Sequence, residues 1–370
     1  MSATTTETTA PSTPERPSRR RLRTPRSTFG RHASAALLGL VVIAAVLELT
    51  GPFVNFQLAT MAYYAIAAVG LTVLTGLNGQ ISLGHGALMA VGAYTTALLV
   101  ETEAVPLLPV LLIAALVTVV VGAIVGVAAA RLHGPYLAGA TLALAVAVPA
   151  LAIYFDDVFG GEQGLTIDTP EVPDWFADAV YFVSANDTGP QKYLAYLGWA
   201  LLIIVMVLLS NLMAGRLGRV WRAVRDDEVA AELAGIRLGQ VRVTAFVVSA
   251  ACAGLAGAVL GLVVRLAAPT GFSIVLSLGL LTAVVVGGLG SLPGALLGSA
   301  ILVFLPPAAR DIGIAAGLDG TSAAQLAPFV YGVVLVLVIL LAPSGVAGFF
   351  RRFTSRSATS RSSTPRRTQK

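Results

Sequence analysis

The chain has 370 residues, of which 56% are hydrophobic and 12% are charged, and its mean hydropathy is +0.84. A soluble domain carries roughly 25% charged residues, so this composition excludes a soluble globular protein and indicates a membrane protein. Most of the net charge of +5 comes from arginines in the two terminal tails, which favours a role in membrane orientation over nucleic-acid binding. The single cysteine, Cys252, excludes an intrachain disulfide and a zinc cluster, and the sequence predicts no metal or cofactor.

Two polar tails flank one polytopic domain. Residues 1–32 and 351–370 are rich in Ser, Thr, Pro and Arg, and we predict that both are disordered basic tails around a domain at 33–350. Apolar runs near the roughly 20 residues that a helix needs to cross a bilayer predict an all-α fold with ten spans. These spans are 33–49, 53–75, 82–100, 105–130, 134–154, 193–212, 243–265, 273–289, 293–307 and 328–342.

Loop charges predict the orientation. Seven arginines precede the first span and six arginines and a lysine follow the last, so the positive-inside rule places both termini in the cytoplasm. The loop 213–242 holds six arginines and falls on the same side, whereas the loop 155–192 holds eight acids and one lysine and falls outside. The glycines in 76–100 leave two alternatives for that region, a spanning helix or a broken, re-entrant one.

Two features missing from the sequence limit how the chain could obtain energy for transport. Apart from His85, no ionisable residue lies well inside a predicted span, which argues against ion coupling because secondary transporters usually bury such groups. The chain also lacks a G-x-x-x-x-G-K-[ST] loop for ATP phosphates. The chain therefore cannot hydrolyse ATP by that route, and if it transports a solute actively, the energy must arrive from another subunit.

The arginine-rich loop 213–242 contains a short helix that is a candidate docking element. Asp226 or Asp227 is expected to cap it, Glu228 lies in its first turn, and Gly235 is expected to adopt a left-handed conformation after its end. A slim alanine face could enter a groove on a partner, with Glu232 and arginines around it; its members are Ala230, Ala231 and Ala234. The alternative is an amphipathic helix lying at the lipid headgroups.

A second candidate site is the polar segment Gly76 to Tyr94, GLNGQISLGHGALMAVGAY. Gln80, Ser82 and His85 are interpreted either as a path lining or hinge, or as part of a simple helix start capped by Asn78 or Ser82. The turn GGLGSLPG, with Gly287, Gly288 and Gly290, is assigned to the same path or hinge, and small residues at 250–261 and 287–299 are expected to allow close helix packing.

The outer loop 155–192 is expected to form a short helix with one apolar face, composed of Trp175, Phe176 and Val180. This helix is interpreted either as a contact for an extracytoplasmic binding protein or as a helix lying on the membrane surface.

Three stretches together resemble a known family. They are the segment 76–94, the segment 218–258 (GRVWRAVRDDEVAAELAGIRLGQVRVTAFVVSAACAGLAGA) and the segment 285–306 (VVGGLGSLPGALLGSAILVFLP). In this order they resemble the LivM-type permease of branched-chain amino acid importers of the ATP-binding cassette (ABC) class. The loop also resembles the EAA-x-x-x-G signature of ABC importer permeases, with Val229 at the place of the leading glutamate, which leaves open which acid contacts the ATPase.

The resemblance implies a ten-helix, type II-like permease fold in the cytoplasmic membrane. It also implies two ATP-binding subunits, a second permease subunit that is a related but different chain, and an extracytoplasmic solute-binding protein. The ATPases would move the short helix at 227–234 and so switch the path; the implied contact residues are Asp227, Glu228, Ala230, Ala231, Glu232 and Gly235. Permeases for urea or short amides are also similar, and a passive solute channel or an ion-coupled transporter remain alternatives from other classes.

Overall fold

The structure, a computed structural model, describes residues 28–102, 105–132, 135–341, 345–346 and 348. Within these ranges the chain is almost entirely helical, with two very short strands. The elements are α1 (Thr28–Leu49), α2 (Pro52–Leu71), a π-helical stretch (Thr72–Leu77), α3 (His85–Glu101), α4 (Leu107–Ala129), α5 (Pro135–Tyr154), α6 (Asp156–Phe159), β1 (Leu165–Thr166), α7 (Asp174–Ser184), α8 (Pro190–Ala214), α9 (Arg216–Asp226), α10 (Glu228–Leu233), α11 (Leu238–Val264), β2 (Leu266–Ala267), a 3-10 helix (Pro269–Phe272), α12 (Ile274–Gly287), α13 (Leu292–Ala315) and α14 (Gly320–Leu341).

The ten predicted spans coincide in order with α1, α2 plus its π-helical continuation, α3, α4, α5, α8, α11, α12, α13 and α14. The described residues include seven helices that are long and apolar enough to cross a membrane, and α1, α3 and α14 lie on the other three predicted spans. The predicted all-α membrane fold is therefore confirmed, and its ten spans are compatible with the observed helices.

The first helix starts earlier than predicted. α1 begins at Thr28, within the tail that was expected to be disordered. The last proline before it is Pro25, so no helix breaker interrupts residues 28–32, and His32 Nδ1 lies 2.9 Å from Asn211 Oδ1 at the end of α8. The remaining residues of both predicted tails, 1–27 and 351–370, lie outside the described part of the chain.

Tertiary contacts sort the loops into two opposite ends of the helix bundle. The loop 215–237 meets the end of α2 and the start of α11, and we call this the arginine-rich end. The loop 155–189 meets the end of α1 and the segment after α11, and we call this the acidic end. The broad charge separation between the two ends agrees with the sequence pattern.

Helix α11 lies at the centre of the bundle and packs against α2, α3 and α4. Glycines make these crossings close: a Cβ atom on Gly92 would overlap the carbonyl oxygen of Gly254, and one on Gly257 would overlap that of Met89. On the α4 side, a Cβ on Gly122 would overlap the Cβ of Ala250. Without a hydrophobic driving force between helices in lipid, such close van der Waals packing stabilises the bundle, as the small residues at 250–261 predicted.

At the acidic end, two distant segments pair as a short antiparallel sheet. Leu165 lies opposite Ala267 and Thr166 opposite Leu266, and Ile167 N donates to Arg265 O at 3.0 Å. The Ile167 side chain is buried where it covers Gly261 of α11. This sheet fixes the outer loop over the ends of α3 and α11.

A polar cluster joins α1 to α8 at the same end. The carboxylate of Glu48 accepts hydrogen bonds from Tyr196 Oη at 2.7 Å and Asn186 Nδ2 at 3.1 Å, and it pairs with Lys192 Nζ at 2.5 Å. A charge at the end of a membrane helix is stable when it is paired in this way.

The short helix of the outer loop, α7, forms as predicted, but its apolar residues point in different directions. Phe176 packs edge-to-face against Tyr193 and Tyr196 of α8, with ring centroids 5.1 and 5.5 Å away. Trp175 is 71% exposed and does not join Phe176 against α8, because neighbouring residues on a helix are separated by about 100°. The two interpretations of this helix, a contact for a binding protein or a helix on the membrane surface, stay predictions.

Candidate functional site

The arginine-rich end carries the candidate site, and it begins with the amphipathic helix α9. Trp221 and Val224 are fully buried against the bundle, whereas Arg219 and Arg222 donate to backbone carbonyls at the end of α8. Gly218 allows the start of α9 to lie close to the end of α8, because a Cβ there would overlap the backbone of Met213. Helix α9 is therefore held firmly and carries α10 beyond it.

Helix α10 has the ends that the sequence predicted. Asp227, rather than Asp226, is the N-cap, with its Oδ1 accepting from Ala230 N at 3.0 Å. Gly235 has φ = 82°, and Ile236 N donates to Ala231 O at 3.0 Å, which closes the helix. A left-handed residue at this position favours glycine, because most side chains would clash with the backbone.

The exposed face of α10 differs from the predicted alanine face. Ala230 and Ala234 are exposed as expected, but Ala231 is only 4% exposed and faces the protein. Val229 and Leu233, four residues apart and so on one face, are 68% and 85% exposed. The outward face of α10 is thus more apolar than the alanines alone indicated, and this spacing was readable in the sequence but was missed.

The acids of this loop have distinct roles. Asp226 pairs with Arg225 at 2.7 Å, Asp227 caps α10, and Glu228 Oε2 accepts from Arg242 Nη2 at 2.7 Å. Glu232 is exposed and makes no side-chain hydrogen bond or ion pair within the described residues. Of the two acids in α10, Glu228 is paired within the chain, and Glu232 has no side-chain partner among the described residues.

The polar segment 76–94 contacts this loop, and it is interrupted rather than helical throughout. The π-helical stretch ends at Leu77, residues 78–84 have no regular helix, and α3 starts at His85. Arg225 Nη1 donates to Gly76 O at 2.8 Å, and Gln80 Nε2 donates to Arg242 O at 3.3 Å. The segment thus touches the loop that carries α10.

The polar trio is buried inside the chain. Gln80, Ser82 and His85 are 5%, 1% and 0% exposed, so none of them lies on an open surface of this single chain. His85 Nε2 lies 3.1 Å from Ala67 O, a carbonyl within α2, so the start of α3 lies beside the interior of a predicted span rather than beyond its end. Non-helical backbone at that depth occurs only where protein or water satisfies it.

The simple capping alternative for this segment is wrong. The N-cap of α3 is Gly84, and no side chain caps the helix. Instead, Leu83 N donates to Thr141 Oγ1 at 3.0 Å and Gly86 N donates to Ser277 Oγ at 2.9 Å. Hydroxyl groups of α5 and α12 therefore satisfy backbone N–H groups that the break frees, whereas Ser82 Oγ is buried without a hydrogen-bond partner in the described chain. The hinge interpretation stays a prediction.

The glycine-rich turn between α12 and α13 lies against the same segment. Gly288 and Gly290 have φ of 115° and 79°, and Gly290 contacts Gly76 so closely that a Cβ on Gly76 would overlap its backbone. Gly287 crosses Gly294 just as closely, and Ser291 Oγ caps α13 by accepting from Gly294 N at 3.2 Å. The segment 76–85, the turn 287–291 and the loop with α10 are thus brought together at one end.

Among the residues that the structure describes, no group of three or more His, Cys, Asp or Glu side chains could hold a metal ion. Arg225 and Gln80 bond the backbone of neighbouring segments, whereas the side chains of Asn78 and Ser82 and the Nδ1 atom of His85 are buried without a hydrogen-bond partner in the described chain.

Comparisons with known proteins identify the family of the chain. Residues 53–339 match the family model described as branched-chain amino acid transport system / permease component. The chain is 30% identical to the high-affinity branched-chain amino acid transport system permease protein LivM of Salmonella typhimurium, over 84% of this chain and 74% of that protein. It is 27% identical to the corresponding BraD protein of Pseudomonas aeruginosa, over 77% and 91%.

A further relative is the ribose import permease protein RbsC of Haemophilus influenzae, 27% identical over 73% of this chain and 83% of that protein. No solved structure matches. The family model covers most of the chain, including every spanning helix from α2 to α13. The chain belongs to the branched-chain amino acid transport system permease family.

Proposed function

We propose that this chain is the permease subunit of an ATP-driven importer for branched-chain amino acids, and that ATP is hydrolysed on separate subunits. The observation that carries the ATP-driven part is α10, a capped helix that projects exposed Val229 and Leu233 away from the bundle. The relatives named for branched-chain amino acid transport support the substrate. The full assembly would comprise two ATP-binding subunits, a second and different permease chain, and an extracytoplasmic binding protein.

The arginine-rich end faces the cytoplasm in this proposal, together with both termini. The loop 215–237 carries five arginines, and the positive-inside rule favours the cytoplasm for such loops. ATP is present on that side, so α10 and the ATPases would meet there. The acidic end with α7 would face the binding protein.

The proposed contact with the ATPase is the outward face of α10. An amphipathic helix that enters a groove gains affinity from apolar anchors at i and i+4, which here are Val229 and Leu233. Ala230 and Ala234 are small enough to keep the helix slim, and Glu232 would supply the acid. Asp227, Glu228, Ala231 and Gly235 would shape and hold the helix rather than touch the partner.

The segment 76–85 and the turn 287–291 would act as the hinge. Gln80, Ser82 and His85 are buried, and Gln80 and His85 lie within hydrogen-bond distance of backbone carbonyls. Gly287, Gly288 and Gly290 allow close contact and left-handed turns. These features support a moving joint more than a lining of the path. His85 is fully buried beside a carbonyl, which also counts against its use for proton coupling.

The substrate and the coupling helix can be tested together in cells that lack this chain. We expect uptake of labelled leucine to be restored by the wild type, to be indifferent to excess urea, and to be abolished by Gly235→Pro. Proline fixes φ near −65° and cannot donate the Gly235 N–H to Glu232 O, whereas the native φ is 82°.

Gly235→Asn is the matched control, because asparagine tolerates a left-handed conformation and a Cβ here meets open space. It should retain leucine uptake. Competition by urea would indicate that the transported solute is urea or a short amide. Full rescue by Gly235→Pro would contradict the role of α10.

A further inference from the structure

We propose that Arg242 is a positioning residue that transmits movement of α10 to the hinge, through an ion pair with Glu228 that forms in one transport state and opens in the other. This inference rests on the importer function proposed above and adds the residues that connect the ATPase contact to the path.

Four segments of the chain meet at Arg242. Its Nη2 donates to Glu228 Oε2 of α10 at 2.7 Å, and its Nη1 donates to Ala130 O at the end of α4 at 3.3 Å. Its own carbonyl oxygen accepts from Gln80 Nε2 of the broken segment at 3.3 Å. Arg242 itself lies in α11, so α4, α10, α11 and the hinge are joined by one side chain and its backbone.

Because Arg242 is buried, breaking its ion pair with Glu228 is energetically unfavourable. Arg242 has a side chain only 5% exposed, whereas Glu228 is 47% exposed on α10. A buried guanidinium that loses its carboxylate is left with an uncompensated charge, which is strongly unfavourable. When α10 moves, the Arg242 side chain must therefore either follow it, which pulls on the backbone carbonyl that Gln80 bonds, or find another environment.

Such an arrangement has two discrete states rather than a continuous range. The ion pair is either formed or open, and small shifts at the docking surface become larger changes because packed elements are bistable. Arg225 provides a separate anchor, since its bond to Gly76 O ties the start of the segment to α9 and not to α10. The pair with Glu228 is the described link that couples α10 itself to the segment.

The test uses the complete transporter, with this chain and its partner subunits co-expressed and placed in proteoliposomes with the binding protein. The readout is leucine transported per ATP hydrolysed. Glu228→Gln keeps the size of the side chain and removes its charge, and we expect this ratio to fall about tenfold while ATP hydrolysis stays within about twofold of the wild type.

Three variants calibrate this result. Arg242→Lys keeps the positive charge and should keep more of the ratio than Arg242→Gln. Asp226→Asn removes a carboxylate from an exposed pair only two residues from Glu228, and it should leave the ratio unchanged. A purely structural role for the pair predicts instead that transport and hydrolysis fall together.

A second readout needs no transported solute. In a Cys252→Ala background, Ser82→Cys places a thiol at a position that is 1% exposed, and a maleimide reports its accessibility. We expect trapping with ATP and vanadate to change the labelling rate when the pair is intact and to leave it unchanged in Glu228→Gln. If the wild type hydrolyses ATP without moving leucine, the substrate proposal fails, and the labelling still tests the pair.

Three results would overturn the role of Arg242. These are an unchanged leucine-to-ATP ratio in Glu228→Gln, a parallel loss of transport and hydrolysis in that variant, and a labelling rate that responds to nucleotide equally with and without the pair, or in neither case.

Discussion

Leu233→Asp should abolish ATP-driven uptake of leucine while the permease stays folded in the membrane. Leu233 is 85% exposed at the end of α10, so the substitution breaks no internal packing. In the assembled transporter the same side chain would lie in an apolar groove of the ATPase, where an unpaired carboxylate is strongly unfavourable. A loss of about 2.7 kcal/mol weakens binding about 100-fold, so we expect little ATPase to copurify with the variant.

Two controls separate docking from general damage. Leu233→Met keeps the volume and apolar character of the anchor and should retain uptake and copurification. Gln240→Glu adds a negative charge at the same end of the bundle, at an exposed residue of α11 outside α10, and should also retain both. Normal copurification of the ATPase with Leu233→Asp would show that α10 is not the docking helix.

Gly257→Leu should prevent the permease from accumulating as a folded protein. Gly257 lies where α11 crosses α3, and even a Cβ atom would overlap the carbonyl oxygen of Met89. A leucine would force apart the central helix and its neighbour, and overpacking of this kind costs about 1–3 kcal/mol or more. The measurement is the amount of monodisperse protein recovered from membranes in mild detergent, with its thermal unfolding temperature.

Gly239→Leu is the matched control in the same helix. A Cβ on Gly239 meets open space, so the larger side chain should be tolerated and the recovered protein should match the wild type. Equal recovery of the two variants would mean that the α3–α11 crossing does not need a small residue at 257.

The spanning helices were predictable because lipid imposes a simple rule on sequence. Each crossing needs a long apolar run, and the breaks between runs are charged or rich in glycine and proline. The caps of α10 were also predictable, because Asp227 and Gly235 act on backbone within a few residues. Interactions of this kind depend only on residues that are close together in the sequence.

The contacts that organise the candidate site join residues far apart, and these were not predictable. Gln80 bonds the backbone of Arg242, 162 residues away, and β1 pairs with β2 across about a hundred residues. Arg242 was read as one of several loop arginines, and only the fold shows that it is buried and paired with Glu228. Burial depends on which helices meet, and composition does not reveal that.

The inward position of Ala231 has the same cause. Ala230, Ala231 and Ala234 look equivalent in sequence, but the way α10 leaves α9 decides which of them faces the bundle. The exposed positions Val229 and Leu233 follow from that same rotation of the helix.

ATP-driven import is tested most directly by measuring labelled leucine uptake into proteoliposomes that contain the complete transporter, with binding protein outside and ATP inside. We predict uptake that requires ATP, that continues without any ion gradient, and that is lost with Leu233→Asp. Uptake driven by a proton or sodium gradient without ATP would indicate a secondary transporter. Equilibration of leucine by this chain without ATP would indicate a passive channel, and either result would contradict an ATP-driven permease.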